Sequence, residues 1–178
     1  VSETLIVALC QQLGVDPSVL LSCMSMPLTN MTLLNYPPVE PQADTWGIHP
    51  HKDFNLLTLL AHDPIGGLEV RKRNDEWINA ECPADGMVLN VGDMLELWSG
   101  GRLLSTPHRV FNKSGKPRQS FPYFSKPLWD VVVQPLVKPL DGFDRVPLHV
   151  GTSAADIWYS NWPDTSSTDP AQVLGKFD

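Results

Sequence analysis

The stretch His49-Pro50-His51-Lys52-Asp53-Phe54-Asn55-Leu56-Leu57-Thr58-Leu59-Leu60 decides how the chain folds, because it starts polar and ends in an apolar run of strand length. In an extended strand, residues two apart share a face. His51 and Asp53 therefore project an imidazole and a carboxylate into one space, with His49 alternating onto the same side. Two histidines and one carboxylate on one face of a first-row divalent metal leave its opposite face open. A His49/His51 pair is a competing clamp, and in either arrangement a further ligand must come from elsewhere in the chain.

Working outward, the totals bound the answer. A chain of 178 residues, 42% of them hydrophobic, has the size and apolar content of one domain with a sizeable core. A formal charge of −7, from 13 Lys+Arg against 20 Asp+Glu, gives no general attraction to phosphate backbones or anionic lipid, so nucleic acid and membrane surfaces are not expected partners. Cys10, Cys23 and Cys82 are odd in number and widely spaced, which suggests neither a disulfide framework nor a zinc knuckle; a reducing compartment, the cytoplasm, is expected. No apolar run approaches bilayer length, and Val1 to Cys10 lacks the basic start of a secretory signal, so a soluble protein is expected. The chain opens at Val1 directly in a helical pattern, which suggests that something upstream is removed or absent.

Ser2 is the expected N-cap of a first amphipathic helix carrying Leu5, Ile6, Leu9 and Leu13 and stopping at Gly14. Asp16-Pro17 reads as N-cap and first helical position of a second, running to about Cys23. From Met31 onward short apolar runs alternate with Pro, Gly, Asn and Asp clusters, which predicts strands over Met31 to Tyr36, Gly47 to His51, Leu56 to Ala61, Gly67 to Arg71, Trp77 to Asn79, Met87 to Val91, Met94 to Ser99, His108 to Asn112, Arg118 to Ser125 and Val131 to Pro135. So many short strands without crossover helices predict a mainly β, antiparallel jelly-roll (a double-stranded β-helix). One domain is expected, with a helical lead-in over 1–30, a catalytic core over 31–135 and an irregular tail over 136–178. The polar stretch Asn161 to Asp169 reads as surface, with a short helix starting at Pro170.

His108 opens the strand His108-Arg109-Val110-Phe111-Asn112 after Ser105-Thr106-Pro107, and Arg118-Gln119-Ser120 follows, its outer residues sharing a face. His51-x-Asp53, His108 and Arg118-x-Ser120, in this order and spacing, resemble the iron(II)- and 2-oxoglutarate-dependent dioxygenases of the isopenicillin N synthase-like group. Tyr36-Pro37-Pro38, Leu57-Thr58-Leu59-Leu60, Gly66-Gly67-Leu68-Glu69-Val70, Asn90-Val91-Gly92-Asp93 and Ser105 to Val110 look like that family's connecting segments. The resemblance spans about Met31 to Pro135.

It implies that His51, Asp53 and His108 hold Fe(II), leaving positions for 2-oxoglutarate and O2. Arg118, a planar fork suited to carboxylates, would meet the far carboxylate of 2-oxoglutarate, with Ser120 adding a hydroxyl and Tyr36 a further hydrogen bond. The implied reaction couples oxidative decarboxylation of 2-oxoglutarate to hydroxylation, desaturation or ring closure of a small organic molecule, in specialised metabolism. An oxidase of the same fold that needs no 2-oxoglutarate is the alternative, and so is a non-catalytic jelly-roll binding module or fragment; zinc in place of iron is a lesser option.

Three departures stand out. Lys52 occupies a position that is often Thr, but on the opposite face. Leu34 replaces an Asn that plant members use for a polar contact, and Asn35 sits on the wrong face to substitute. The family's usual N-terminal region is absent. His62 and His149 read as ordinary surface or core residues, and the six tryptophans as packing, although Trp46 and Phe54 flank the metal motif and could line a pocket. Gly66-Gly67 is a turn with no helix after it, so a phosphate cradle is rejected.

Overall fold

The computed structural model describes residues 1–25, 28–38, 46–83 and 85–161. The chain falls into two compact units, one of Val1–Thr29, Glu96–Leu103 and Ser125–Asp178, the other of Asn30–Leu95 and Leu104–Phe124.

In the first unit, α1 (Ser2–Leu13) buries Ile6 and Cys10 and ends on Gly14, whose left-handed backbone (φ 68°) only glycine adopts without strain. Ser2 is inside this helix, not its cap: Val1 holds the cap position and no side chain caps the end. The next start is as expected, with the Asp16 carboxylate accepting from Ser18 N–H ahead of Pro17 in α2 (Pro17–Ser22).

The second unit carries two sheets. β1 (Asn30–Met31) and β2 (Leu34–Tyr36) both pair antiparallel with β9 (Arg118–Ser125) where one strand was expected. Pro122, facing this stretch, has no N–H to give, and only Thr32 N–H to Pro122 O spans the break. The sheet continues through β4 (Leu57–His62) to β7 (Val88–Val91). The other sheet runs in the order β3 (Ile48–His51), β8 (His108–Val110), β5 (Leu68–Arg71), β6 (Trp77–Asn79). Tyr36, Leu34, Leu60 and Val88 of the first sheet pack with Leu68, Val110 and Ile48 of the second in one core, which is the sandwich of the expected jelly-roll.

One irregularity matters for function. Ile48 pairs with Val110 and His51 with His108, so β3 uses one residue more than β8 between these pairs. Ile48, Val110 and His108 share the inward face by alternation; the bulge brings His51 onto it as well.

Met94 to Ser99 is not a strand. It forms α3 (Asp93–Trp98), in which Met94, Leu95, Leu97, Trp98 and even Glu96 are buried. Burial on every side erases the helical periodicity, and a short apolar run then reads equally well as a strand.

Back in the first unit, β10 (Val132–Val133) pairs with β11 (Leu148–His149), followed by α4 (Val150–Asn161). The sequence hid α4 behind Gly151, a helix breaker on propensity, yet a Cβ there would run into the Trp129 ring. The expected helix from Pro170 lies outside the described residues, as does nearly all of the Asn161 to Asp169 stretch. Among the described residues no helix is long and apolar enough to cross a membrane.

Gly92 fixes how the end of β7 meets the segment after Asp53. Its N–H donates to Leu56 O at 2.9 Å, and a Cβ would collide with both the carbonyl oxygen and the side-chain Oδ1 of Asn55. Backbone cannot yield as a flexible side chain can. Gly92→Ala should therefore lower unfolding stability by about 1–3 kcal/mol, read from the urea midpoint at unchanged m-value.

Candidate metal and anion site

β3 and β8 lie side by side with His51 opposite His108, their ring centroids 4.3 Å apart. Asp53 is not on the strand, as alternation had suggested: pairing ends at His51, and Asp53 is turned inward from the loop that follows. Its carbonyl accepts from Asp93 N–H at 2.8 Å. His49, on β3, is exposed and its ring lies 6.1 Å from Trp46.

The Asp53 carboxylate is buried and its two oxygens have different partners. Oδ2 accepts from Thr58 Oγ1 at 2.5 Å and from Asn90 Nδ2 at 2.8 Å, and Asn55 Nδ2 donates in turn to Thr58 Oγ1 at 2.7 Å. Oδ1 faces the two imidazoles, 3.7 Å from His51 Nε2 and 3.5 Å from His108 Nε2. The far ring nitrogens are occupied: His51 Nδ1 bonds His49 O at 2.8 Å and His108 Nδ1 bonds Thr106 O at 3.1 Å. A carbonyl only accepts, so each Nδ1 carries a proton and each Nε2 is the nitrogen turned toward Asp53 Oδ1. Among the described residues, this is a group of three metal-capable side chains with ligand atoms within 4.8 Å of one another. Burial pushes the His108 pKa below the usual histidine value, against the pull of the Asp53 charge, which keeps Nε2 free of protons.

Arg118 lies on the same inward surface, on β9. Register sets Tyr36 opposite Arg118 and Leu34 opposite Ser120, all on one face, with Asn35 and Gln119 exposed on the other, as the departures at Leu34 and Asn35 implied. The Arg118 guanidinium is fully buried, 4.9 Å over the Tyr36 ring. Its Nε donates to Gly66 O at 2.5 Å, while Nη1 and Nη2 are buried with no protein partner. Burial lowers its pKa from the usual arginine value, with Tyr36 and Asp63 acting the other way, but a guanidinium stays charged. A buried cation with two free donors calls for an anion.

Of the neighbours of the motif, Lys52 points away from the site, as its place on the opposite face implied, and Trp46 packs on Arg109 and Phe111. Lys52 reaches Asp93, 3.9 Å away, and not the donor cluster. Trp46 packs at 4.7 Å on Arg109 and at 4.9 Å on Phe111; Arg109 alternates to the face of β8 opposite His108, so Trp46 lines no pocket with the histidines. Thr58 and Asn90 escaped notice because each sits inside an apolar strand, between Leu57 and Leu59 and between Leu89 and Val91. A polar residue at an inward strand position was the available signal.

A model of the 2OG-Fe(II) oxygenase superfamily matches residues 28–127, more than half of the chain. Gibberellin 2-beta-dioxygenase 8 of Arabidopsis thaliana is 35% identical over 99 residues, 56% of this chain and 29% of its own length. A 1-aminocyclopropane-1-carboxylate oxidase of Dictyostelium mucoroides is 42% identical over 90 residues, 49% of this chain and 24% of its own. The crystal structure of a full-length Neurospora crassa protein in complex with alpha-KG and 5-formyluracil aligns with a TM-score of 0.77 at 25% identity, over 85% of this chain and 53% of that one. The chain thus spans about a quarter to a third of these curated relatives and about half of the solved structure.

The two donors on Asp53 Oδ2 lead to a measurement. Thr58→Val keeps the shape of the side chain but removes its hydroxyl, and Asn90→Leu removes the amide. Each should weaken Co(II) or Fe(II) binding by about 10- to 100-fold in an anaerobic titration, with the protein still folded.

Proposed function

Since the chain belongs to the 2OG-Fe(II) oxygenase superfamily, we propose that it works as an iron(II)- and 2-oxoglutarate-dependent oxygenase, with His51, Asp53 and His108 holding the metal and Arg118, Ser120 and Tyr36 receiving 2-oxoglutarate. The observation that carries this is Arg118, a buried guanidinium with Nη1 and Nη2 unpaired, in the same compact unit as the three-donor cluster. The residues suit both groups. Two imidazole nitrogens and one carboxylate oxygen are the donor set of an open iron(II) site, and a fork with two free donors matches a carboxylate edge.

Held there, iron(II) and 2-oxoglutarate would supply the oxidising chemistry, an O2-dependent decarboxylation of the 2-oxo acid to succinate and CO2 coupled to oxidation of an organic substrate. The protein's part is positioning. Thr58 and Asn90 hold Asp53 so that only Oδ1 faces the metal position. The carbonyls of His49 and Thr106 fix both imidazole orientations. Arg118, pinned by Gly66 O and backed by the Tyr36 ring, supplies a preorganised electrostatic anchor for the far carboxylate. All of these residues fall within the 31–135 core.

We further infer a small organic substrate, oxidised by hydroxylation, desaturation or ring closure in specialised metabolism. A reducing compartment, the cytoplasm, fits the three free thiols of Cys10, Cys23 and Cys82. One other reading has an observation behind it: similarity to a 1-aminocyclopropane-1-carboxylate oxidase favours an oxidase of this fold that consumes no 2-oxoglutarate.

Anaerobic addition of Fe(II) and 2-oxoglutarate should give a weak visible charge-transfer band, and O2 consumption should release stoichiometric succinate. Oxygen uptake without succinate would favour the oxidase instead. His51→Ala, Asp53→Ala and His108→Ala should each abolish iron binding while His49→Ala retains it; loss in His49→Ala would overturn the ligand assignment. Arg118→Gln should leave iron binding intact and weaken 2-oxoglutarate by about 100-fold, as expected for a buried charge-paired contact.

A further inference from the structure

Among the described residues, another side chain besides Arg118 has a buried polar atom without a partner: His62, through Nε2, at the end of β4. Its orientation follows from the strand. Thr58 turns inward to Asp53, Leu60 packs in the core beside Tyr36, and His62 is the next residue in that alternation. The other ring nitrogen is taken, since Nδ1 bonds Asp63 O at 2.6 Å. Only Nε2 is left to meet something.

Three observations put His62 beside the Arg118 subsite. β4 and β9 are neighbours, and Asp63 N–H donates to Gln119 O at 3.1 Å while Gln119 N–H donates to Asp63 Oδ2 at 2.5 Å. Residue 63 therefore sits against residue 119 on the outer face, which leaves their neighbours His62, Arg118 and Ser120 together on the inner one. His62 also lines a cavity of about 480 Å3 whose wall includes Gly66, the residue whose carbonyl pins Arg118 Nε, and Leu68 and Ala80 of the core cluster.

We propose that His62 is a third contact for the far carboxylate of 2-oxoglutarate, completing with Arg118 and Ser120 a pocket that recognises a dicarboxylic 2-oxo acid by its distal end. This rests on the function proposed above. A carboxylate carries about four acceptor positions, more than the two free Arg118 donors fill. The ring meets the ligand through Nε2, with Nδ1 on Asp63 O, and no covalent bond is made or broken. His62 thus selects for the second carboxylate and takes no part in holding the metal.

The test titrates anaerobic Fe(II)-loaded protein with 2-oxoglutarate, followed by the visible band, and with 2-oxobutyrate, which keeps the chelating 2-oxo acid but lacks the distal carboxylate. His62→Leu should weaken 2-oxoglutarate by about tenfold and leave 2-oxobutyrate and Fe(II) affinities unchanged, while His62→Gln, whose amide still donates, stays within about threefold of the parent. If His62→Leu does not fold, His62→Asn, polar but too short to reach, takes its place with the same expected loss. Unchanged 2-oxoglutarate affinity would overturn the proposal, as would equal losses for both acids, the mark of a structural role. A parent protein that binds Fe(II) but gives no band with 2-oxoglutarate would instead overturn the proposed function, and this inference with it.

Discussion

The Asp53 carboxylate is the constraint on which the site depends, because it must be buried, charged and pointed in one direction. Two uncharged donors on Oδ2, from β4 and from β7, hold that direction and leave Oδ1 as the only oxygen facing the imidazoles. Thr58 and Asn90 are Cα partners across the β4–β7 ladder, so the clamp is as rigid as the pairing beneath it. The close approach of Gly92 to Asn55 and the bond from Asp93 N–H to Asp53 O then tie the backbone of the loop to the same strand end. A carboxylate held this way loses little freedom when a cation arrives.

The interior shows a division of charge. At one place the Asp53 carboxylate faces two imidazoles, and at another the Arg118 guanidinium, its burial partly offset by Asp63 and Tyr36, turns two donors toward no protein acceptor. Burying unpaired charge is costly, and the surrounding structure, not the site, has to bear that strain. The outer face of the second sheet is where such support is visible. Arg109, next to His108 on β8, is held by Glu69 Oε2 at 2.5 Å and lies 4.1 Å from the Trp77 ring as well as over Trp46. That stack fixes the strand from behind while His108 works in front.

Much of this was legible in the residues, for identifiable reasons. Period-two patterns and Gly/Pro turns placed β3 through β9 to within a residue or two at most ends, since half-buried strands leave alternation in the sequence. Met94 to Ser99 failed because α3 is buried all round, and α4 failed because Gly151 serves Trp129 packing and not helix propensity. His51, Asp53 and His108 do come together, but the strand argument for Asp53 was wrong in detail: a loop, not alternation, turns it inward. Asn90 was invisible because its partner lies 37 positions away, Thr58 because it reads as part of an apolar strand, and the orphan nitrogen of His62 because its meaning lies in the lack of a partner.

The bulge between Ile48 and His51 has a consequence for how this protein can vary. Because β3 runs one residue longer than β8 between its two pairings, the inward orientation of His51 is a matter of parity, not of side-chain chemistry. Substitutions at His49 or Pro50 leave that parity alone. A single-residue deletion there would restore a regular ladder with the imidazole two positions after Ile48 and still inward, whereas losing the bulge at the present length would turn it outward. The inward placement of the imidazole thus depends on the bulge at this strand length and not on which residues stand at 49 and 50.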